Sequence, residues 1–171
     1  MGLLSLLHTH RRQVCLLGAL CCVLLLAFAL YSEFYMGLAP CPLCIFQRVA
    51  MAALGMALLL AALPPAGWRL GRMVSAVLVA VAALSTIGVA ARHLYIQSLP
   101  PGSVAACGAS LDYMLDVFPL ADVLRKVLTG SGECAKVSWT LLGLSMPGWV
   151  LLWAAALGAV GTLASWPRRS R

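Results

Sequence analysis

The sequence is short of charge. Asp, Glu, Lys and Arg make up 10% of its 171 residues, against roughly 25% in soluble domains, and this excludes an ordinary soluble globule. Acid is scarcest, with five Asp and Glu against twelve Lys and Arg and a net charge of +7. Disorder is excluded as well, because it combines low hydrophobicity with high net charge, whereas 63% of this chain is apolar and its mean hydropathy is +0.97. Internal repeats and low-complexity linkers are also missing. Such a chain is solvated mainly by lipid. The cations then report orientation rather than a nucleic-acid partner.

A hydrocarbon core about 30 Å thick is crossed by about 20 apolar residues in a helix. Four runs have that length: Val14 to Tyr31, Ile45 to Leu63, Met73 to Ala91 and Met146 to Ala164. Lipid offers no hydrogen-bond partners, so each run must satisfy its backbone internally as a helix. The expected fold is an all-α membrane protein, a four-helix transmembrane bundle forming a single domain over 1–171. Lys and Arg mark the cytoplasmic ends of short loops. Arg11 and Arg12 precede the first run, Arg69 and Arg72 separate the second and third, and Arg168, Arg169 and Arg171 follow the fourth. Residues 1–13, 64–72 and 165–171 are therefore assigned to the cytoplasm, and 32–44 and 92–145 to the outer side, where all five acids fall. Both termini face the cytoplasm. Trp68, Trp149 and Trp166 lie near run ends, as amphipathic rings do at headgroups. Pro64-Pro65-Ala66-Gly67 reads as a tight cytoplasmic turn. A cleaved signal peptide is the alternative for the first run, which ends in Ala27-Phe28-Ala29, although the run is longer than the usual h-region.

The segment 92–145 is the one stretch large enough for structure outside the membrane. Within it Leu120, Val123, Leu124, Val127 and Leu128 follow helical spacing, with Asp122, Arg125 and Lys126 on the opposite face. Pro119 suits the start and Gly130 the stop. A helix this short cannot span, so a short interfacial helix lying on lipid is expected. Packing against the other outer loop is the alternative.

Seven cysteines divide by position. Cys15, Cys21 and Cys22 lie inside the first run, where a thiol is a small inert apolar group. Cys41, Cys44, Cys107 and Cys134 lie on the outer side, and four cysteines allow three pairings. Cys41-Pro42-Leu43-Cys44 is a C-x-x-C unit at a helix start, where free N–H groups and the dipole favour a thiolate. Arg48 follows one turn deeper on the same face, able to approach the Cys44 sulfur or a ligand beside it. A charge in a span is costly, so Arg48 needs a reason. Snorkelling to the headgroups is the alternative. Zinc competes for any C-x-x-C, but no second close pair of ligands exists in the sequence, since Cys107 and Cys134 are far apart and His93 stands alone. No metal is expected. A disulfide between Cys107 and Cys134 would serve equally well as a structural staple. His8 and His10 read as solvated, and Met146-Pro147 as the start of the fourth span.

The four spans, Cys41-Pro42-Leu43-Cys44 followed by Gln47-Arg48, His93 with Gln97, the separated Cys107 and Cys134, and Trp139-x-x-Leu142-Gly143-Leu144-x-Met146-Pro147-x-Trp149 together resemble the disulfide bond formation protein B (DsbB) family over almost the whole chain. Relays of DsbA, DsbB and quinone keep bacterial periplasms oxidising, a general property of such relays and not one read from these residues. The resemblance implies a multi-pass thiol:quinone oxidoreductase of the bacterial inner membrane. It would reoxidise a DsbA-like periplasmic thiol oxidase and pass the electrons to ubiquinone, or to menaquinone without oxygen. By position it implies that Cys107 and Cys134 form the disulfide that the partner attacks, with Cys107 taking the mixed disulfide. Cys41 and Cys44 would reoxidise that pair, Cys44 beside Arg48 would deliver electrons to the quinone, and His93 and Met146 would line its pocket. Spacing alone equally permits a reductase similar to the vitamin K epoxide reductase family. The competing class is a non-enzymatic membrane scaffold with a structural loop disulfide.

Overall fold

A computed structural model of the chain describes residues 7–65, 68–100, 111–130 and 132–167. Cys107, the turn residues Ala66 and Gly67, and the tail cations Arg168, Arg169 and Arg171 lie outside the described residues. In chain order the elements are α1 (Arg11–Phe34), α2 (Pro42–Ala62), α3 (Arg69–Gln97), α4 (Leu111–Val117), α5 (Leu120–Thr129), α6 (Gly132–Ala135), β1 (Thr140–Leu141), β2 (Leu144–Ser145) and α7 (Met146–Ser165). The four long helices, α1, α2, α3 and α7, are each long and apolar enough to cross a membrane.

Prolines start two of them. Pro42 and Pro147 occupy the first turns of α2 and α7, where the missing N–H costs nothing and the fixed φ suits a helix. Helix α3 has 29 residues and continues beyond the apolar run that ends at Ala91. Backbone hydrogen bonding does not stop where the apolar run stops, and the extra turns carry His93 and Gln97 to the end of the bundle that holds the C-x-x-C unit.

Helix α1 packs on α2, α2 on α3 and α3 on α7, which returns to touch α1. Lipid tails are as apolar as the side chains, so association in a membrane relies on close packing of small residues. The core accordingly mixes Leu54, Leu58 and Val79 with Cys15, Ala19, Cys22, Ala57, Ala61, Ala83 and Ala154. At the crossing of α3 and α7 a Cβ on Gly158 would run into Ala83, so this approach requires glycine. At the end opposite the C-x-x-C unit, buried Arg11 donates to the carbonyls of Ala61 and Pro64. The Ala61 carbonyl is among the acceptors that the end of α2 leaves without a helical partner, and Pro64 lies just past that end.

The end with the C-x-x-C unit carries a second apolar cluster of Cys41, Leu43, Ile96, Met114, Val123, Val127 and Cys134. Helix α5 starts after Pro119 and ends at Gly130, whose φ is +87°. Val123 and Val127 are fully buried in that cluster, so two members of its apolar stripe pack on protein, while Leu120, Leu124 and Leu128 remain exposed. Arg92 of α3 donates from Nε to the Leu128 carbonyl at 2.8 Å and from its terminal nitrogen to Thr129 at 3.3 Å, which fastens the end of α5 to the bundle.

The sequence reading did not include the hairpin of β1 and β2, which pairs Thr140 with Ser145 and Leu141 with Leu144. Its turn residues Leu142 and Gly143 both have positive φ, +53° and +80°, the conformation of a tight two-residue turn. Trp149 of α7 donates to the Leu141 carbonyl at 3.1 Å, and Ser145 donates to Gln97 Oε1 at 2.8 Å. The hairpin is thus tied to α7 and to the C-terminal end of α3.

Candidate functional site

Cys41 is the N-cap of α2. Its backbone is extended, and its sulfur accepts the Cys44 N–H at 3.4 Å. A helix start leaves its first N–H groups without helical partners, and here the sulfur of the first cysteine takes one of them. The same geometry turns the Cys41 thiol toward Cys44 Sγ at 3.2 Å, a contact between thiols that is longer than the roughly 2.05 Å of a disulfide.

Two further elements converge on Cys41. From α6, Cys134 packs beside it in one buried cluster, and the neighbouring thiol bears on the Cys41 sulfur. From α3, His93 Nε2 stands 3.8 Å from Cys41 Sγ. Hydrogen bonding with Cys134 and then with Cys44, together with burial, pushes the Cys41 thiol well above its ordinary range.

His93 is 2% exposed, and both of its ring nitrogens are engaged. Nε2–H donates to the Cys134 carbonyl at 3.1 Å, and Nδ1 accepts from the Gln47 amide at 3.2 Å. One neutral tautomer satisfies both bonds. Gln47 sits on α2, so a chain of hydrogen bonds runs from α2 through α3 to α6 and holds Cys134 against Cys41. Sequence distance made His93 look solitary. Folding puts its nitrogen and the sulfurs of Cys41 and Cys44 within 4.8 Å of one another.

Arg48, one turn below Cys44, is a fifth exposed at its side chain. It forms an ion pair with Glu33 of α1 and donates to the Ala29 carbonyl at 2.9 Å. The guanidinium therefore bridges α1 and α2, and its charge also bears on the Cys44 sulfur. Glu33 enters the sequence argument only as one of the five acids, although a lone acid in a connection without cations is a usable signal for the partner of a lone arginine in a span.

These residues share a cavity of about 340 Å³. Cys41, Cys44, Gln47, Arg48, His93, Gln97 and Met146 form its polar end, and Leu25, Leu26, Phe28, Met51, Val150 and Trp153 its apolar wall. Trp139, whose ring lies 5.7 Å from that of Phe28 at a tilt of 58°, also lines it. Of the expected site residues, Cys41, Cys44, Cys134, Arg48, His93 and Met146 lie at this one end of the bundle, while Cys107 is outside the described residues.

Thiols in such contact are placed for disulfide interchange, which proceeds by attack of one sulfur on another. Combined with the bundle below them, they define a multi-pass membrane protein of thiol redox chemistry. The family model for disulfide bond formation protein DsbB matches residues 11–164. Proteins named disulfide bond formation protein B from Chromohalobacter salexigens and Methylococcus capsulatus are 49% and 47% identical to this chain, over 146 and 156 residues. The matched regions cover 85% of both chains in the first case, and 91% of this chain and 94% of the relative in the second. A third of that name, from Nitrosococcus oceani, is 49% identical over 87% of this chain and 88% of its own. The chain belongs to the DsbB family, and it is an oxidoreductase of disulfide bond formation in a bacterial membrane.

Proposed function

We propose that this protein is a thiol:quinone oxidoreductase of the bacterial inner membrane, with both termini in the cytoplasm, which reoxidises a DsbA-like dithiol protein of the periplasm. The observation that carries the reading is the position of the Cys41–Cys44 unit, with the Cys134 thiol on one side and an apolar cavity on the other. A protein dithiol cannot enter lipid and a quinone tail cannot leave it, so a pair at the boundary serves both.

In this reading a thiolate of the partner attacks Cys107 of a Cys107–Cys134 disulfide and releases Cys134 as thiolate. The partner's second thiol resolves the mixed disulfide, leaving the partner oxidised and Cys107 reduced. Cys134 then attacks Cys41 of the Cys41–Cys44 disulfide, and Cys44 leaves as thiolate. Cys107 attacks Cys134, displaces Cys41 and restores the outer disulfide. Two electrons now reside on the Cys41–Cys44 dithiol. The hydrogen bond from His93 to the Cys134 carbonyl supports the approach of the two sulfurs.

The cavity suits a quinone in size, since ligand pockets run from about 300 to 1,000 Å³, and in character, with apolar walls and a few polar groups at one end. Cys44, Arg48, His93 and Met146 would face the ring, and the apolar wall would hold the start of the tail. A bound quinone supplies the two-electron, two-proton acceptor that returns the dithiol to a disulfide. The exposed Leu120, Leu124 and Leu128 of α5 would rest on the outer lipid surface.

The test mixes the purified protein with a reduced thioredoxin-like dithiol protein and a soluble ubiquinone, following quinone absorbance. Turnover with one quinone consumed per dithiol oxidised is expected. Its absence from folded protein would refute the assignment.

A further inference from the structure

Four side chains at the outer end carry donor atoms that a soft divalent cation accepts. The sulfurs of Cys41 and Cys44 are 3.2 Å apart and His93 Nε2 is 3.8 Å from Cys41 Sγ, with all three donor atoms within 4.8 Å of one another. The buried Cys134 packs in the same cluster as Cys41. Zinc bonds of about 2.3 Å to sulfur and 2.0–2.1 Å to nitrogen, at tetrahedral angles, put donor atoms roughly 3.5–3.8 Å apart. The sulfurs of Cys41 and Cys44 and the nitrogen of His93 are thus already grouped on this scale, and the Cys134 thiol, which lies outside that group, completes a structural set of three sulfurs and one imidazole by moving inward.

The surroundings suit an ion as well. Cys41, His93 and Cys134 are 7%, 2% and 1% exposed, so water competes little. To bind through Nε2, His93 must carry its proton on Nδ1, and Gln47, now 3.2 Å from Nδ1, can turn its amide to accept that proton. Such an outer partner fixes the tautomer of a ligating histidine. Three thiolates around a divalent ion leave one negative charge, and Lys136 lines the same cavity.

We propose that the reduced form of this protein holds one zinc-type divalent cation between Cys41, Cys44, Cys134 and His93, and that the bound ion arrests the protein in its reduced state. Binding replaces three thiol protons with the metal and involves no change of oxidation state. A disulfide at Cys41–Cys44 removes two of the four donors, so metal and oxidised protein exclude each other. The site itself stands on the grouping of Cys41, Cys44 and His93, with Cys134 packed beside Cys41. The arrest rests on the proposed oxidoreductase reading.

The test titrates Co²⁺ into the full-length reduced protein in detergent, without quinone or partner, and follows the visible bands of tetrahedral thiolate-bound cobalt. One equivalent per chain is expected, displaced by Zn²⁺ and lost after the wild-type protein is oxidised. Cys44→Ser should abolish the bands, and Gln47→Leu should weaken binding roughly tenfold or more. A triple Cys15→Ala, Cys21→Ala, Cys22→Ala variant should still bind. No bands, or bands that survive either oxidation of the wild type or Cys44→Ser, would overturn the site. The oxidation arm needs no variant, so a misfolded mutant leaves the test intact. Zn²⁺ should then stop quinone consumption in proportion to site occupancy. A protein that bound cobalt but never turned over would keep the site and lose the oxidoreductase reading, whereas one that turned over without binding would do the reverse.

Discussion

The two ends of this bundle hold the same residue type in opposite circumstances. Cys15 and Cys22 are fully buried among Ala19, Leu54, Ala57 and Leu58. Cys22 fits beside Gly55, where a Cβ would come within 3.1 Å of it, and Cys15 meets Ser165 at 3.7 Å. At the other end Cys41 meets the Cys44 thiol, packs with Cys134 and faces a histidine, and all of these groups except Cys134 border one cavity. Burial does not separate the sets, because Cys134 is as buried as Cys22. The neighbours do. A thiol packed among hydrocarbon behaves as a small inert apolar group, whereas a sulfur against another sulfur needs only a change of protonation and redox state to exchange.

Cys44→Ser should have the largest effect on this contrast, abolishing quinone reduction while a mixed disulfide with the partner still forms. Cys22→Ala should leave turnover near wild type. If both variants lost activity equally, the distinction between the ends would fail. His93→Ala comes next, because it removes the bond that holds the Cys134 backbone over Cys41. Misplacement of about 1 Å can cost on the order of 100-fold in rate, so a fall of roughly 10- to 100-fold in kcat/KM for the dithiol partner is expected. Thermal unfolding of the same variant separates this from loss of fold.

Arg48→Ala should raise the apparent KM for quinone with little change in partner oxidation. Glu33→Gln should act in the same direction more weakly, because the Ala29 carbonyl still holds the guanidinium. A change confined to folding yield would make Arg48 a clamp between α1 and α2 and nothing more. In the passive part of the bundle, Gly158→Leu should lower stability by about 1–3 kcal/mol through overpacking against Ala83, without altering the quinone KM. The smallest effect concerns reactivity. Because hydrogen bonding with Cys134, hydrogen bonding with Cys44 and burial all raise the Cys41 thiol, this residue stays protonated at neutral pH. Its alkylation in the reduced protein should therefore be slow near pH 7 and accelerate as pH rises, measured by mass spectrometry of the labelled peptide.

The spans were legible in the sequence because lipid imposes one rule on every residue of a crossing helix, so composition alone reveals it. The C-x-x-C unit was legible because its two sulfurs are neighbours in sequence and its proline marks a helix start. The rest of the site depends on long-range contacts. His93 reaches Gln47 across 46 positions and the Cys134 carbonyl across 41, and nothing in local periodicity encodes either contact. Helix α5 shows an intermediate case. Its stripe and its stop at Gly130 were readable, but Val123 and Val127 face protein while Leu120, Leu124 and Leu128 do not, and periodicity cannot divide one stripe between two surroundings. The hairpin had no usable signal, because Leu142 adopts a positive φ that branched or bulky side chains seldom take.

The claim on which the rest depends is that Cys134 and Cys41 are exchange partners. A Cys44→Ser, Cys107→Ser double variant leaves them as the outer thiols, with Cys15, Cys21 and Cys22 in α1 as internal competitors. After mild oxidation and peptide mapping, a Cys41–Cys134 disulfide should form in most of the chains. Two free thiols there, or linkage of either residue to a cysteine of α1, would contradict the relay.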